Sequence, residues 1–166
     1  MRTSCEDNEA IVLGDYTMSN LEDFEKKLFT TNDLEEEELK KLILKISEFA
    51  TVSADSFVTL KSLDSKKVSD KERIHIVLSA RLLLNMLQVK IGRENPVKAD
   101  VTLDELSRFL RKPQKSISAR VSELKEDNAI DSPSKGVYRV RLHTIDGLIE
   151  KLNKIKKEEK GDGNRN

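Results

Sequence analysis

Cysteine is nearly missing from this sequence: Cys5 is the only one in 166 residues. A lone thiol excludes an internal disulfide framework and a cysteine-based zinc site. Long apolar runs are missing too, and nothing approaches the roughly 20 residues of a membrane-spanning helix. The N-terminus lacks the basic-then-apolar pattern of a secretory signal, so a cytoplasmic protein with no membrane partner is expected. Histidine is scarce, with His75 in an apolar stretch and His143 at a hairpin exit, both places where histidines serve structure. No Ser/His/Asp order, His-Glu-x-x-His motif, Gly-rich phosphate loop or paired-carboxylate motif stands out. The expectation is a protein that is not an enzyme, with no metal and no cofactor.

Charge is plentiful. Charged residues make up 36% of the chain and hydrophobic ones 37%, so a core exists beneath an ionic surface. The net charge of zero argues by itself against a dedicated nucleic-acid binder. Its distribution argues otherwise, because residues 1–40 hold 12 acids and 4 bases while residues 41–166 hold 18 acids and 26 bases. Charges are screened within about 10 Å at ordinary salt, so a phosphate backbone would feel the basic part alone. An acidic arm beside a basic binding surface is the expected pattern. A chain of this length can hold one domain, or a small domain with a substantial extension.

Taken in order, residues 1–18 have no useful periodicity and read as a flexible tail, with Met18 a second candidate start. Residues 19–68 read as an acidic helical region. Ser19 with Glu22 forms a capping box for a short helix with Leu21, Phe24 and Leu28 inward, and Thr30, Thr31 and Asn32 break it. Asp33 with Glu36 opens a longer helix, with Leu39, Leu42, Ile43, Ile46, Phe49 and Ala50 on one stripe. The run of glutamates at 35–38 suits its first turn, where the helix dipole favours negative charge. The same run could also serve as an acidic docking surface. Residues 53–67 are read as helix from Phe57, Leu60 and Leu63, although Phe57, Val58, Thr59 and Leu60 also fit a strand. Ser69 with Glu72 is a third box, opening the most apolar stretch, 74–91, which Gly92 ends. A helix apolar nearly all round must be covered on several sides.

Residues 102–130 read as two short helices joined by a tight turn. Thr102 and Glu105 form a capping box, and Leu103, Leu106, Phe109 and Leu110 share a face. Arg111 and Lys112 make the corner, and Pro113 stands where a helix tolerates its missing N–H. Ile117, Val121 and Leu124 form the buried stripe of the second helix, and Gln114, Lys115, Ser118, Ala119 and Ser122 form an opposite stripe free of acid. Asn128 can take the left-handed conformation that ends the helix. Residues 130–142 read as a hairpin turning at Pro133, Ser134, Lys135 and Gly136, with Arg139 and Arg141 alternating against Val140 and Leu142. From 143 to 158 an amphipathic helix carries Ile145, Leu148, Leu152 and Ile155 at spacings of three and four, a coiled-coil-like seam. Residues 159–166 read as a second flexible tail.

The run SISARVSEL at 116–124, followed by Asn128, Ala129 and Ile130, resembles the helix-turn-helix of the winged-helix DNA-binding superfamily, as in MarR-like and ArsR-like prokaryotic regulators. The resemblance covers roughly residues 71–142. Arg111 and Lys112 replace the usual Gly-apolar corner, and Asn128 replaces the usual Gly. The fold expected is mainly α with a small β-hairpin wing: a winged helix-turn-helix domain at 69–142, preceded by the helical N-terminal region and followed by the C-terminal amphipathic helix. The implied function is double-stranded DNA binding by a transcriptional regulator.

Residues 111–141 carry eight bases against four acids, which suits phosphate neutralisation. Base reading in the major groove falls to Gln114, Lys115, Ser118, Ala119 and Ser122. Phosphate contact falls to Arg111, Lys112, Arg120 and the wing residues Lys135, Arg139 and Arg141. A homodimer through the 74–91 helix or the 145–155 seam would match a two-fold operator. The alternative is a winged-helix protein–protein interaction module that binds no DNA. An ordinary solvated helix face would show the same polar stripe.

Overall fold

A computed structural model describes residues 34–61 and 66–162 of the chain. Packing divides the sequence into two units, Met1–Glu35 and Glu36–Asn166, and the architecture below belongs to the second. The tail at 1–18, the short helix expected after Ser19 and the Asp33 cap lie outside the described residues.

Helix α1, Glu36–Ile46, has Glu36, Glu37 and Glu38 in its first turn and buries Leu39, Leu42 and Ile46. The expected stripe ran on through Phe49 and Ala50, but the helix stops earlier. The Ser47 hydroxyl donates to the Leu44 carbonyl at 2.7 Å, and the Phe49 N–H closes a tighter turn onto Ile46 at 2.8 Å. Such side-chain bonds compete with helix propagation, and Phe49 is buried from a turn instead.

The helix expected over 53–67 is a hairpin in its described part. Strands β1, Ala50–Val52, and β2, Val58–Leu60, pair antiparallel with Val52 opposite Val58 and Ala50 opposite Leu60. Ser56 between them has φ 69°, a left-handed conformation that no right-handed helix contains. Thr51, Val52, Val58 and Thr59 are β-branched and suit a pleated surface. Val58 is fully buried whereas Phe57 beside it is partly exposed.

Helix α2, Asp70–Lys90, opens on the full Ser69–Glu72 capping box. Its apolar circumference is explained by its neighbours: it packs against α1, both strands of the hairpin, and the segments 103–110, 114–126, 137–140 and 145–162. Ile74, Ile76, Val77, Leu78 and Leu83 are buried. Truncating such a side chain costs about 2–5 kcal/mol. The final two turns are different, with Leu84 and Leu87 half-buried and Ile91 exposed just beyond them. Gly92 follows at φ 74°.

The rest of the unit alternates short pieces. Strand β3, Val101–Thr102, leads into α3, Leu103–Leu110, and then α4, Gln114–Glu126. Strands β4, Ile130–Ser134, and β5, Val137–Val140, complete a three-stranded antiparallel sheet of order β3–β5–β4. The expected four-residue turn is narrower, with Pro133 and Ser134 inside β4 and only Lys135 and Gly136 between the strands. Pro133 fits there because β4 is an edge strand with a register shift between Asp131 and Ser134.

After a 3₁₀ turn, Leu142–Thr144, helix α5 runs Ile145–Asp162, so it extends past the expected end at 158. Ile145, Leu148, Ile149 and Leu152 are buried, and the helix packs on α1 and α2. Three members of the 145–155 seam, Ile145, Leu148 and Leu152, are therefore buried within the chain, and Ile155 is half-buried. Lys156 reaches Glu48 at 2.9 Å, which ties α5 to the residues following α1. The unit is thus mainly helical, with five helices and two small antiparallel sheets among the described residues. No helix among them is long and apolar enough to cross a membrane.

Candidate nucleic-acid interface

The surface built around α4 begins with how α3 is held. Thr102 Oγ1 accepts from the Glu105 N–H at 3.1 Å, and Glu105 Oε2 accepts from the Thr102 N–H at 2.8 Å. Beneath this box lies Arg81 of α2, 2% exposed. Its Nε donates to the Lys98 carbonyl at 2.8 Å, Nη1 to the Ser56 carbonyl at 3.1 Å and to Glu105 Oε1 at 3.2 Å, and Nη2 to the Asp100 carbonyl at 3.2 Å. Burying a guanidinium is tolerable only when its donors are satisfied, and here each nitrogen donates at least once. Burial pushes the Glu105 carboxyl up, but the Thr102 N–H and the Arg81 charge outweigh it and hold it below the ordinary value. Phe57 packs edge-on against Phe109 at 4.8 Å between ring centroids, a second link from the first hairpin to α3.

The corner follows. Arg111 takes φ 53°, the conformation usually given to glycine. The Lys112 N–H donates to the Ser107 carbonyl at 3.2 Å, and Ser107 Oγ returns a bond to the Lys112 carbonyl at 2.5 Å. Pro113 caps α4 rather than occupying its first turn, a shift of one residue. Ile117, Val121 and Leu124 are buried against the core. Asn128 adopts φ 57° beyond the helix, as its side chain permits.

The five expected base-reading residues, Gln114, Lys115, Ser118, Ala119 and Ser122, are all exposed on the face of α4 opposite that stripe. Gln114 Nε2 donates to Asp104 Oδ1 at 3.2 Å, so its carboxamide is braced from α3. Ser122 Oγ donates to the Ser118 carbonyl at 3.1 Å, leaving its lone pairs outward.

The six expected phosphate contacts divide. Arg111 and Lys135 are exposed, and with Lys115 and Lys125 they have no carboxylate within ion-pair distance among the described residues. The other four are engaged. Lys112 meets Asp70 at 3.5 Å, and Arg120 pairs with Glu123 one turn along its own helix. Arg139 Nε meets Asp100 at 2.6 Å, and Arg141 Nη2 meets Asp131 at 2.6 Å. The hairpin face that reads as basic in sequence is thus largely neutralised by Asp100 and Asp131.

Asp100, Asp104, Asp131 and Arg81 went unnoticed in the sequence. A cross-strand signal exists for the first: Val101 pairs with Tyr138, which sets Asp100 opposite Arg139 once the register is known. No signal marked Arg81, whose partners are carbonyls and a cap.

His75 lies behind α4, its Nε2 3.0 Å from Thr144 Oγ1. Thr144 Oγ1 in turn lies 2.7 Å from the Arg141 carbonyl, to which it donates. Burial, with Lys151 and Lys71 nearby, pushes the imidazole down to about 4, so it is neutral at pH 7. His143 sits in the 3₁₀ turn. Among the described residues no cluster of His, Cys, Asp or Glu could hold a metal ion. No family model matches the chain, and no curated protein or solved structure matches it either.

Proposed function

We propose that residues 69–142 form a winged helix-turn-helix domain that binds double-stranded DNA, in a prokaryotic transcriptional regulator. One observation carries this reading: an acid-free polar face on α4, flanked by the unpaired cations Arg111, Lys115, Lys125 and Lys135. The order helix, strand, helix, helix, strand, strand with sheet order β3–β5–β4 supports it, since that order presents α4 beside a hairpin wing. Gln114 suits adenine, Lys115 suits guanine, and Ser118 and Ser122 suit several base edges. The N-terminus of α4 offers unpaired N–H groups to phosphate. A two-fold operator would call for two copies.

The test is fluorescence anisotropy with a labelled random duplex across a salt series, beside a Lys115→Ala/Lys125→Ala variant. Affinity should fall steeply with salt, and the variant should flatten the log–log slope by about 0.9 per lost phosphate contact. No binding at low salt by the folded protein would sink the proposal. It would favour the second reading, a protein-interaction module. That reading draws on the engagement of Lys112, Arg120, Arg139 and Arg141 by carboxylates.

A further inference from the structure

Strand β1 pairs with β2 along one edge, and among the described residues no strand covers the other. Two bonds frame the ladder, from the Ser53 N–H to the Phe57 carbonyl and from the Lys61 N–H to the Phe49 carbonyl, each 2.9 Å. Thr51 lies opposite Thr59, and the alternation of an antiparallel pair gives the bonds between the frames to those two residues. The N–H and carbonyl groups of Ala50 and Val52 therefore point away from β2, and among the described residues no group bonds them. Ala50 is only 3% exposed, so water reaches it poorly as well. Backbone groups at that depth are almost always paired. The strand also lacks the lysine or proline that blunts many sheet edges.

Beside this edge lies a groove of about 250 Å³. Ala50, Thr51 and Val52 line it and no residue of β2 does, which puts it on the unpaired side of β1. Ile43 of α1 and Leu84 and Leu87 of α2 supply its apolar walls. We infer that the groove takes an extended peptide of a partner protein, added antiparallel to β1 as a third strand. The edge selects the backbone, since its alternating donors and acceptors are matched by another strand and by no helix. Charge complementarity selects the side chains: no charged residue lines the groove, so the peptide is uncharged there, with an apolar side chain at every second position. Ala50 and Val52 face inward and Thr51 outward. Residues that exchange hydrogen bonds across an antiparallel pair carry their side chains on the same face. The peptide residues bonded to Ala50 and Val52 are thus the ones whose side chains enter between α1 and α2. The inference does not depend on what α4 binds.

The probe is an acetylated and amidated peptide of alternating valine and threonine, about seven residues long, labelled with fluorescein. Anisotropy during titration with the full chain should show binding. N-methylation of the valines removes the donors that face β1 and should abolish it. N-methylation of the threonines, whose donors face away, should leave affinity within about twofold. In the protein, Val52→Pro removes one edge donor without touching the β1–β2 ladder and should weaken binding about tenfold. Leu87→Glu places a charge in the apolar wall and should weaken it at least as much. Circular dichroism checks that both variants fold, and the methylated peptides carry the test if either does not. No binding of the unmethylated peptide, equal loss with both methylations, or a folded Val52→Pro chain that binds like the parent would each overturn the proposal.

Discussion

The face of α4 and the β4–β5 hairpin are both basic in sequence, yet they differ in what their charges are free to do. On α4, Lys115 and Lys125 are exposed and have no carboxylate within ion-pair distance among the described residues. On the hairpin and just after it, Arg139 and Arg141 are each held by an aspartate at 2.6 Å. A carboxylate fork satisfies a guanidinium much as a phosphate would, so under the proposed function a hairpin arginine would have to exchange one anion for another to touch DNA. The lysines of α4 would need only to shed counterions. Counting bases along a chain therefore overstates its usable positive surface, and the correction comes from partners that are distant in sequence.

The largest effect should come from Arg81, which stands beneath both regions. It holds the Asp100 carbonyl, whose residue pairs with Arg139, and it holds Glu105, which caps α3. Arg81→Met strands Glu105 and three carbonyls, and breaking a buried pair of this kind costs about 3–5 kcal/mol. Thermal denaturation should show a fall of roughly 10 °C or more. A change of a few degrees would mean that the hub is dispensable and the two regions are positioned independently.

Next in size is a pH effect just after the β4–β5 hairpin, where His75 meets Thr144. His75 titrates near 4 in the folded chain and near 6.5 when unfolded. A depressed imidazole means that the unfolded state takes up its proton first as pH falls. The contribution is fully present above about 6.5 and is lost progressively down to about 4, amounting to ~3 kcal/mol in all. Urea denaturation of the parent and of His75→Gln across that window should show the difference, with the variant flatter. Glu105 acts in a lower window. Its carboxyl is held below the ordinary range, so its contribution is present above the unfolded value and fades as pH drops through the folded one. Parallel curves for the parent and His75→Gln would remove His75 from the account.

The comparison itself is tested by charge reversal. Lys115→Glu/Lys125→Glu should reduce duplex affinity on the order of a hundredfold, measured by anisotropy at low salt. Arg139→Ala should change it several-fold at most. Equal losses would show that the hairpin pairs yield readily to phosphate. Asp100→Asn approaches the same question from the other side, releasing Arg139. An exposed pair is worth up to ~1 kcal/mol, so affinity should rise by about fivefold or less, with a steeper salt dependence. A fall would place Asp100 among groups that orient the surface.

Much of this frame was legible in the sequence because it is local. The Ser69–Glu72 and Thr102–Glu105 boxes, the 117–121–124 stripe and the left-handed Asn128 each depend on residues within a few positions of one another. The hairpin at 50–60 was missed for the complementary reason. Phe57, Leu60 and Leu63 fit a helical face, but pairing of 50–52 with 58–60 and the bond from Arg81 to the Ser56 carbonyl decide the matter. Those partners lie up to 25 residues away. The exposed face of α4 was equally legible, since it is the complement of a buried stripe. The neutralised face of the hairpin was not, because Asp100 sits 39 residues before Arg139.

The smallest effects separate scaffold from contact. Arg111 and Asn128 both adopt positive φ, 53° and 57°, where a Cβ is unwelcome. Glycine there removes steric cost but adds unfolded-chain freedom, and asparagine already tolerates the region better than arginine. Arg111→Gly should therefore stabilise by ~0.5 kcal/mol and Asn128→Gly by less, both read from denaturant midpoints at constant slope. Only Arg111→Gly removes a cation from the edge of α4, so it should also weaken duplex binding and flatten its salt dependence. A variant that gains stability while losing affinity puts Arg111 in contact with the ligand, at some cost to the fold. If Arg111→Gly gains stability and keeps its affinity, the positive surface begins at Lys115 and the corner serves only to turn the chain.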